Sequence, residues 1–508
     1  MQTGSRYLVF HPCGGRAAGH GSVPEQDEEA LRRNYAGVGV IGMKVNTRLL
    51  IRCAVAYAGI IVVSGVIMWL NHTAQPSPAD VSQALQPARA EPNMSPPATA
   101  HDRDGPEVNT APLGDQDDLA FVWRGLLYVV EGETGKVRQL TDSGRAAHPA
   151  WSNDGQWLAF VRVTDPGEMT GQLWVVRRDG SQGRQIQGLP GPVGARDFSW
   201  SPAENVLAVG VGNSVWVAAA EGEPRHLALA PGLVWCAWSP DGKSLAYNAT
   251  LAYDDPVNRS DALYTVDVKG GEPVKRVEAS QAGVWVAAWW PDNSGLLYWS
   301  DPLHSASLAA DGMTLMRLRL GSQEPRPTAT TLGYREWLSF SPQGRLVVVA
   351  GGGREAWSGK RLAIVDPKAG PVRELKNARG CVALDPSFSP DGRRIAYVTA
   401  QDLSDGAGSI NGPEQLAAWV ATRTLWVADA DGSGARPLTE AGSGIYRPVW
   451  SRDGTRVFYM RDNALWTITL EGGRPEKVLG PFPEEKNLFG YYGFATFNAE
   501  MAWFWPRR

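Results

Sequence analysis

Twelve residues at 149–160, PAWSNDGQWLAF, return as CAWSPDGKSLAY at 236–247, PSFSPDGRRIAY at 386–397 and PVWSRDGTRVFY at 448–459. Weaker copies stand at 198–209, 288–298 and 338–348. The aromatic residue that marks each copy recurs at intervals of roughly 38 to 62 residues, which brackets a supersecondary unit of about 40–50 residues. A unit of that size cannot bury both of its faces alone, so it stacks on copies of itself.

Within each copy an apolar segment ending in Trp or Phe leads through a polar turn, often Asp-Gly, into a second apolar segment. Glycine accepts positive φ and aspartate bonds nearby backbone, so Asp-Gly between two such segments marks a hairpin. A third strand is expected at 173–176, 214–217, 263–266, 362–365 and 425–427, and a fourth follows polar turns such as RRDGSQGR at 177–184 and DADGSGAR at 429–436. The unit is a four-stranded meander, and radial stacking covers both faces of each sheet. The chain therefore reads as an all-β propeller. Trp151, Trp200, Trp238, Trp289, Phe340, Phe388 and Trp450 mark seven blades. Residues 118–122, 126–130 and 136–140 read as a further blade lacking its innermost strand, while 494–497 resembles an isolated inner strand and 500–505 a second. Joining the two ends gives eight blades; seven is the alternative if 501–505 and 119–122 compete for one strand position.

The repeat chemistry does not extend before residue 117. Residues 1–48 read as a cytoplasmic segment, or as an overextended start if Met43 is the true beginning. Residues 49–71 read as a signal anchor, because 53–70 carry no charge and a helix of about 20 residues crosses a bilayer. Lys44, Arg48 and Arg52 precede the apolar run and no Lys or Arg follows until Arg89, an asymmetry that leaves the propeller outside a bacterial-type cell membrane. The run is longer than that of a cleaved leader, and no Ala-x-Ala site follows it directly. Residues 72–116, rich in proline, read as a disordered linker to the propeller at 117–508.

A net charge of −4 supplies no cationic footprint for nucleic acid. Most of the 21 Trp residues are expected to pack between blades. Cys13, Cys53, Cys236 and Cys381 form no dense disulfide framework, and the last two read as inert buried thiols in distant blades. Asp254 with Asp255, and Asp429 with Asp431, offer oxygen ligands without calcium-loop spacing. The seven His residues are dispersed and no HExxH occurs, so neither a metal nor a cofactor is expected. No GxSxG elbow accompanies the repeats.

Loops between second and third strands, and between one blade and the next, emerge on one face. Insertions at 163–171, 248–261, 299–313, 350–360 and 399–422 would wall that face as a rim. The candidate ligand-binding residues there are Tyr253, Asp254, Asp255, Arg259, His304, Arg335, Arg354, Glu355, Trp357, Tyr446 and Arg447. Aromatic surfaces and arginine forks suit recognition of peptide, protein or carbohydrate.

The AWSPDG-type units at 150–155, 237–242, 388–392 and 449–454, with LWVVRRDGSQGRQI at 173–186 and LWVADADGSGARPL at 425–438, resemble the TolB-type, WD-repeat-like (PD40) propeller family over about 117–504. The resemblance implies a blade scaffold that often binds proteins outside the cytoplasm, and it assigns no catalytic residue. The expected function is noncatalytic binding of a protein or peptide partner at the rim, with no nucleic acid involved. The alternatives are a hydrolase or lyase acting on peptide or carbohydrate at the channel mouth, and a structural spacer in the cell envelope.

Overall fold

The computed structural model describes residues 105–508 apart from 115–117, 168, 195–196, 234, 252–259, 280–281, 302–311, 323, 367–371, 405–409, 442–443, 484–488, 490–491, 494–500 and 505–508. The expected cytoplasmic segment, the anchor and most of the linker lie outside the described residues. Among those described, no helix is long and apolar enough to cross a membrane.

The described strands form eight four-stranded antiparallel sheets, the blades of a propeller. Blades 2 to 8 begin with inner strands Ala146–Trp151, Phe198–Trp200, Cys236–Trp238, Gly283–Trp289, Leu338–Phe340, Cys381–Phe388 and Tyr446–Trp450, each ending on its aromatic marker. Blade 1 is composite. Its strands Asp118–Trp123, Leu126–Val130 and Val137–Gln139 receive an inner strand from the other end of the chain, Met501–Phe504. That strand runs antiparallel to the first, with Ala120 opposite Ala502. The inner strand is thus 501–504 rather than 494–497, whose residues lie outside those described. The pair Ala502-Trp503 repeats Ala150-Trp151 and Ala237-Trp238, so Trp503 is the eighth marker. The opposite end of the propeller helps to seal the same seam: Val108 bridges Leu479 of blade 8, the Asn109 N–H donates to the Val478 carbonyl at 2.8 Å, and Leu113 is buried between blades 8 and 1.

The apolar runs are continuous because both faces of a blade are covered. In Trp157–Asp165, Leu158 and Phe160 pack toward blade 1, while Trp157, Ala159 and Val161 pack toward blade 3. Two sets of hydrogen bonds then set one blade against the next. In the inner set, the indole N–H of a marker donates to the carbonyl just before the preceding blade's marker: Trp151 to Ala502 at 3.0 Å, Trp200 to Ala150 at 2.9 Å, Trp238 to Ser199 at 3.1 Å, Trp289 to Ala237 at 3.0 Å and Trp450 to Ser387 at 2.9 Å. In the outer set, arginines of fourth strands reach carbonyls at the third-to-fourth turn of the next blade, as Arg184 does to Ala220 and Arg373 to Asp431.

The Asp-Gly hairpins close as their sequence requires. In blade 8 the Ser451 hydroxyl donates to Asp453 at 2.6 Å and accepts the Arg456 N–H at 3.0 Å, while Asp453 also accepts the Thr455 N–H at 3.0 Å. Gly454 takes φ +70°, a conformation that is inexpensive for glycine alone. The same pattern recurs at Ser152, Ser239 and Ser389.

Three readings are corrected. Most of the 163–171 insertion is strand, because Trp157–Asp165 and Thr170–Arg177 lengthen into one hairpin. The 399–422 insertion contains an α-helix, Pro413–Val420, begun by a proline whose missing N–H is no loss in the first turn. Of the two cysteines expected to be buried, Cys236 is, whereas Cys381 is partly exposed.

Phe504 is 7 % exposed and packs at a tilt, ring centroids 5.5 Å apart, on Trp151 of blade 2, so Phe504→Ala should open a cavity beside the closing strand and cost about 3 kcal/mol of stability in urea denaturation. A loss below about 1 kcal/mol would show that closure does not rest on this strand.

Candidate functional site in the axial channel

All inner strands run in the same direction along the ring axis. Their first residues gather at the long-loop end, and the turns after their markers gather at the opposite end. At that second end lies a cavity of about 1540 Å³. Its wall repeats like the sequence: Trp200, Trp238, Trp289 and Phe340 are each followed two residues later by Pro202, Pro240, Pro291 and Pro342. Blade 7 adds Pro390, and blades 7 and 8 add charge from Asp391, Arg394, Arg452, Asp453 and Glu471. Burial raises the pKa values of Asp391 and Asp453, but the hydroxyls of Ser389 and Ser451 and turn N–H groups outweigh it and hold both below the usual carboxylate value. In the sequence these Asp-Gly residues read only as hairpin turns. The signal that they also face the channel is their fixed offset from the markers.

Arg335 reaches this cavity from the other end. It opens a 3₁₀ turn, Arg335–Trp337, ahead of the inner strand of blade 6. Its Nη2 lies 3.4 Å from the carbonyls of both Cys236 and Val286, in blades 4 and 5, and its guanidinium sits 4.9 Å from the Trp235 ring. Trp235 in turn meets Trp285 edge to face at 5.9 Å. Arg335 therefore lies along the channel wall against the inner strands of the two preceding blades, with its guanidinium over Trp235.

Cys236 also borders a smaller cleft of about 240 Å³ together with Asp197 and Trp235. Burial raises the Asp197 carboxyl above its ordinary pKa, opposed by the Gly194 N–H that it accepts at 2.7 Å. Burial also pushes the Cys236 thiol up to about 11, which keeps it protonated and unreactive.

The other predicted rim residues within the described set gather over blades 6 to 8, where the chain after blade 8 returns across them. Arg354 donates to the Tyr492 hydroxyl at 3.4 Å, and the Ala356 N–H donates to the Tyr492 carbonyl at 2.9 Å. Trp357 is 6 % exposed, packed edge to face against Trp419 of the helix. Tyr446 is 1 % exposed and packs on Phe489. Arg447, at φ +52°, sits on a bulge ahead of Pro448. Glu355 is half-buried in the loop between Ala350 and Arg361. Tyr253, Asp254, Asp255, Arg259 and His304 lie outside the described residues. Beneath this layer the fully buried Arg423 pairs with Asp385, and its Nε–H donates to the Ile445 carbonyl at 2.6 Å. Trp337 donates to the second Asp385 oxygen at 2.9 Å. Neither Arg423 nor Asp385 was singled out in the sequence, because isolated charges far apart in a chain carry no periodic signal. Among the described residues no group of three or more His, Cys, Asp or Glu side chains is arranged to hold a metal ion.

Lys360 anchors the loop that carries Arg354, Glu355 and Trp357. Its fully buried ammonium donates to the carbonyls of Gly352, Gly353 and Ser358 at 2.8, 2.9 and 3.0 Å. Burial lowers its pKa to about 8, against the opposing pull of Glu355 and Asp402. Lys360→Met should cost about 3 kcal/mol at pH 7, since three carbonyls lose their donor. Between the folded pKa of about 8 and the unfolded value of about 10.4, the unfolded wild-type chain holds a proton that the folded chain has released. Wild-type stability therefore rises with pH relative to the variant across that window. Urea titrations from pH 7 to 10 should show the gap widening; a constant gap would exclude Lys360 as the titrating group.

No family model and no curated relative matches the chain. Solved structures of similar fold include TolB from Acinetobacter baumannii, at 17% identity over 65% of this chain and 65% of that one with a TM-score of 0.32. An oligogalacturonate lyase in complex with manganese matches at 15% identity over 73% of this chain and 99% of that one, with a TM-score of 0.43. A eukaryotic initiation factor matches at 13% identity over 73% and 100%, with a TM-score of 0.45. These likenesses are of fold alone, and the eight blades are read from the sheets themselves.

Proposed function

We propose that this chain is an extracytoplasmic propeller, tethered by the apolar segment at 49–71, that binds a protein or peptide partner in its axial channel without transforming it. The channel wall carries the reading. A space of about 1540 Å³ exceeds the roughly 300–1,000 Å³ of small-molecule pockets, and rings of indole and proline beside charges of both signs suit a polypeptide segment. Of the predicted rim residues within the described set, Arg335 lines this space, whereas Trp357 and Tyr446 are used in packing. The emphasis therefore moves from rim to channel. Ala288 lines the channel and is partly exposed, so Ala288→Trp should obstruct it. Recovery of the partner from cell-envelope extracts is expected to fall about ten-fold, equivalent to about 1.4 kcal/mol, while Arg354→Ala leaves it unchanged. The reverse pattern would return the site to the rim.

The raised Asp197 carboxyl favours a second reading, a hydrolase or lyase acting on peptide or carbohydrate at the channel. Asp197 is partly buried and its pKa is raised by that burial, the direction in which a carboxyl is tuned toward general-acid work. Turnover of peptide or oligosaccharide substrates by residues 105–508, abolished by Asp197→Asn, would establish it; binding without turnover would dismiss it.

A further inference from the structure

We infer that the channel takes a proline-rich segment of its partner, laid in the polyproline II conformation against the wall formed by blades 3 to 7. The inference rests on the reading of the channel as the binding site and adds the chemistry of what that site accepts.

Successive blades place a proline at the same level of the wall: Pro202, Pro240, Pro291, Pro342 and Pro390. Each is at least partly exposed, as are the aromatic markers Trp200, Trp238 and Phe340 beside them. An arc of this make-up offers ring faces and few hydrogen bonds. Its prolines have no N–H. The indole N–H groups of Trp200, Trp238 and Trp289 are bound to the carbonyls of Ala150, Ser199 and Ala237, so these donors and acceptors satisfy one another. Arg335 lies on the carbonyls of Cys236 and Val286. In the turns below, the hydroxyls of Ser239 and Ser389 donate to Asp241 and Asp391.

Such a wall discriminates by what a ligand has to leave unbonded. A peptide N–H pressed against it gives up water without gaining a partner, at a cost of about 1–3 kcal/mol for each group so buried. A proline has no N–H to strand, and its ring adds apolar surface to an aromatic face. Polyproline II is also extended before it binds, so less freedom is lost on docking, and aromatic-lined grooves are a recurrent receptor for it. The carbonyls that a proline-rich backbone retains need donors. At the blade 7 end of the arc the exposed Arg394 presents a guanidinium, which carries a fork of N–H groups and no acceptor.

The test compares two fluorescein-labelled decamers, decaproline and an alternating Ala-Gln peptide that is neutral, soluble and keeps every backbone N–H. Fluorescence polarisation with the full chain should show decaproline binding ten-fold or more tightly than the Ala-Gln peptide, and Ala288→Trp should abolish that binding. The comparison of the two peptides on the wild-type protein stands even if the substitution disturbs folding. Equal binding of the two, lost in Ala288→Trp, would overturn the proline inference and leave the channel as the binding site. Decaproline binding that survives Ala288→Trp in a folded variant would overturn the channel itself. Failure of decaproline to bind would overturn the proline inference, while the channel reading would still stand or fall on recovery of the partner from cell-envelope extracts.

Discussion

A propeller holds together only if each blade's inner strand, an edge strand by construction, is covered by the next blade. The aromatic marker at or near the end of each inner strand, tryptophan in six of the eight, meets much of that requirement here, and two contributions of the tryptophans can be separated by size. Burying an indole removes about 150–250 Å² from water, an upper estimate of several kcal/mol at about 25 cal/mol per Å². The hydrogen bond from its N–H adds about 1 kcal/mol net. Phe340 and Phe388 keep the first term without the second: Phe340 meets Trp290 edge to face at 5.7 Å, and the backbone N–H of Phe388 donates to the Ser339 hydroxyl at 3.0 Å. Area thus supplies most of the cohesion shared by all blades, and the indole N–H supplies register, since it is directional. At the seam, Trp503 packs on Phe458 of blade 8 with ring centroids 4.5 Å apart, so closure too buries an aromatic marker against the preceding blade.

The two ends of the ring differ in character for a physical reason. At the turn end, polar groups are satisfied within each hairpin by Ser, Asp and backbone N–H. The channel wall is left to proline and indole faces, which form no competing bonds with one another. At the long-loop end, backbone that leaves the sheets has to find partners elsewhere. It does so through buried charges, with Lys360 on three carbonyls and Arg423 between Asp385 and the Ile445 carbonyl. Removing one member of such a set strands the others, at a cost of about 3–5 kcal/mol, so this layer is rigid where covered. The turn end is open and apolar with scattered charge, the combination that accepts a ligand.

Much of this was legible in the residues. The markers counted seven complete blades and implied an eighth from the two ends. The Asp-Gly turns lie where their chemistry requires them, and the strands after them match the expected segments within a few residues. Of the two C-terminal segments that read as strands, the second, 500–505, supplies the inner strand of the composite blade, and its Ala-Trp pair at 502–503 carries the repeat. Trp357 and Tyr446 looked like exposed recognition residues because aromatic side chains in loops read alike whether they face solvent or a returning segment of chain.

Blade type, number and hairpin chemistry are decided by residues within about a dozen positions of one another, so the sequence by itself determines them. Tertiary structure alone decided which distant residues meet: Arg335 beside Cys236, Arg423 beside Asp385, Tyr492 over Arg354, and the prolines after the markers around one cavity. Those meetings join positions tens to more than a hundred residues apart, within one blade for Arg423 and Asp385 and across blades for Arg335 and Cys236. No local pattern encodes that distance, because each repeat carries the same instructions wherever it stands in the circle.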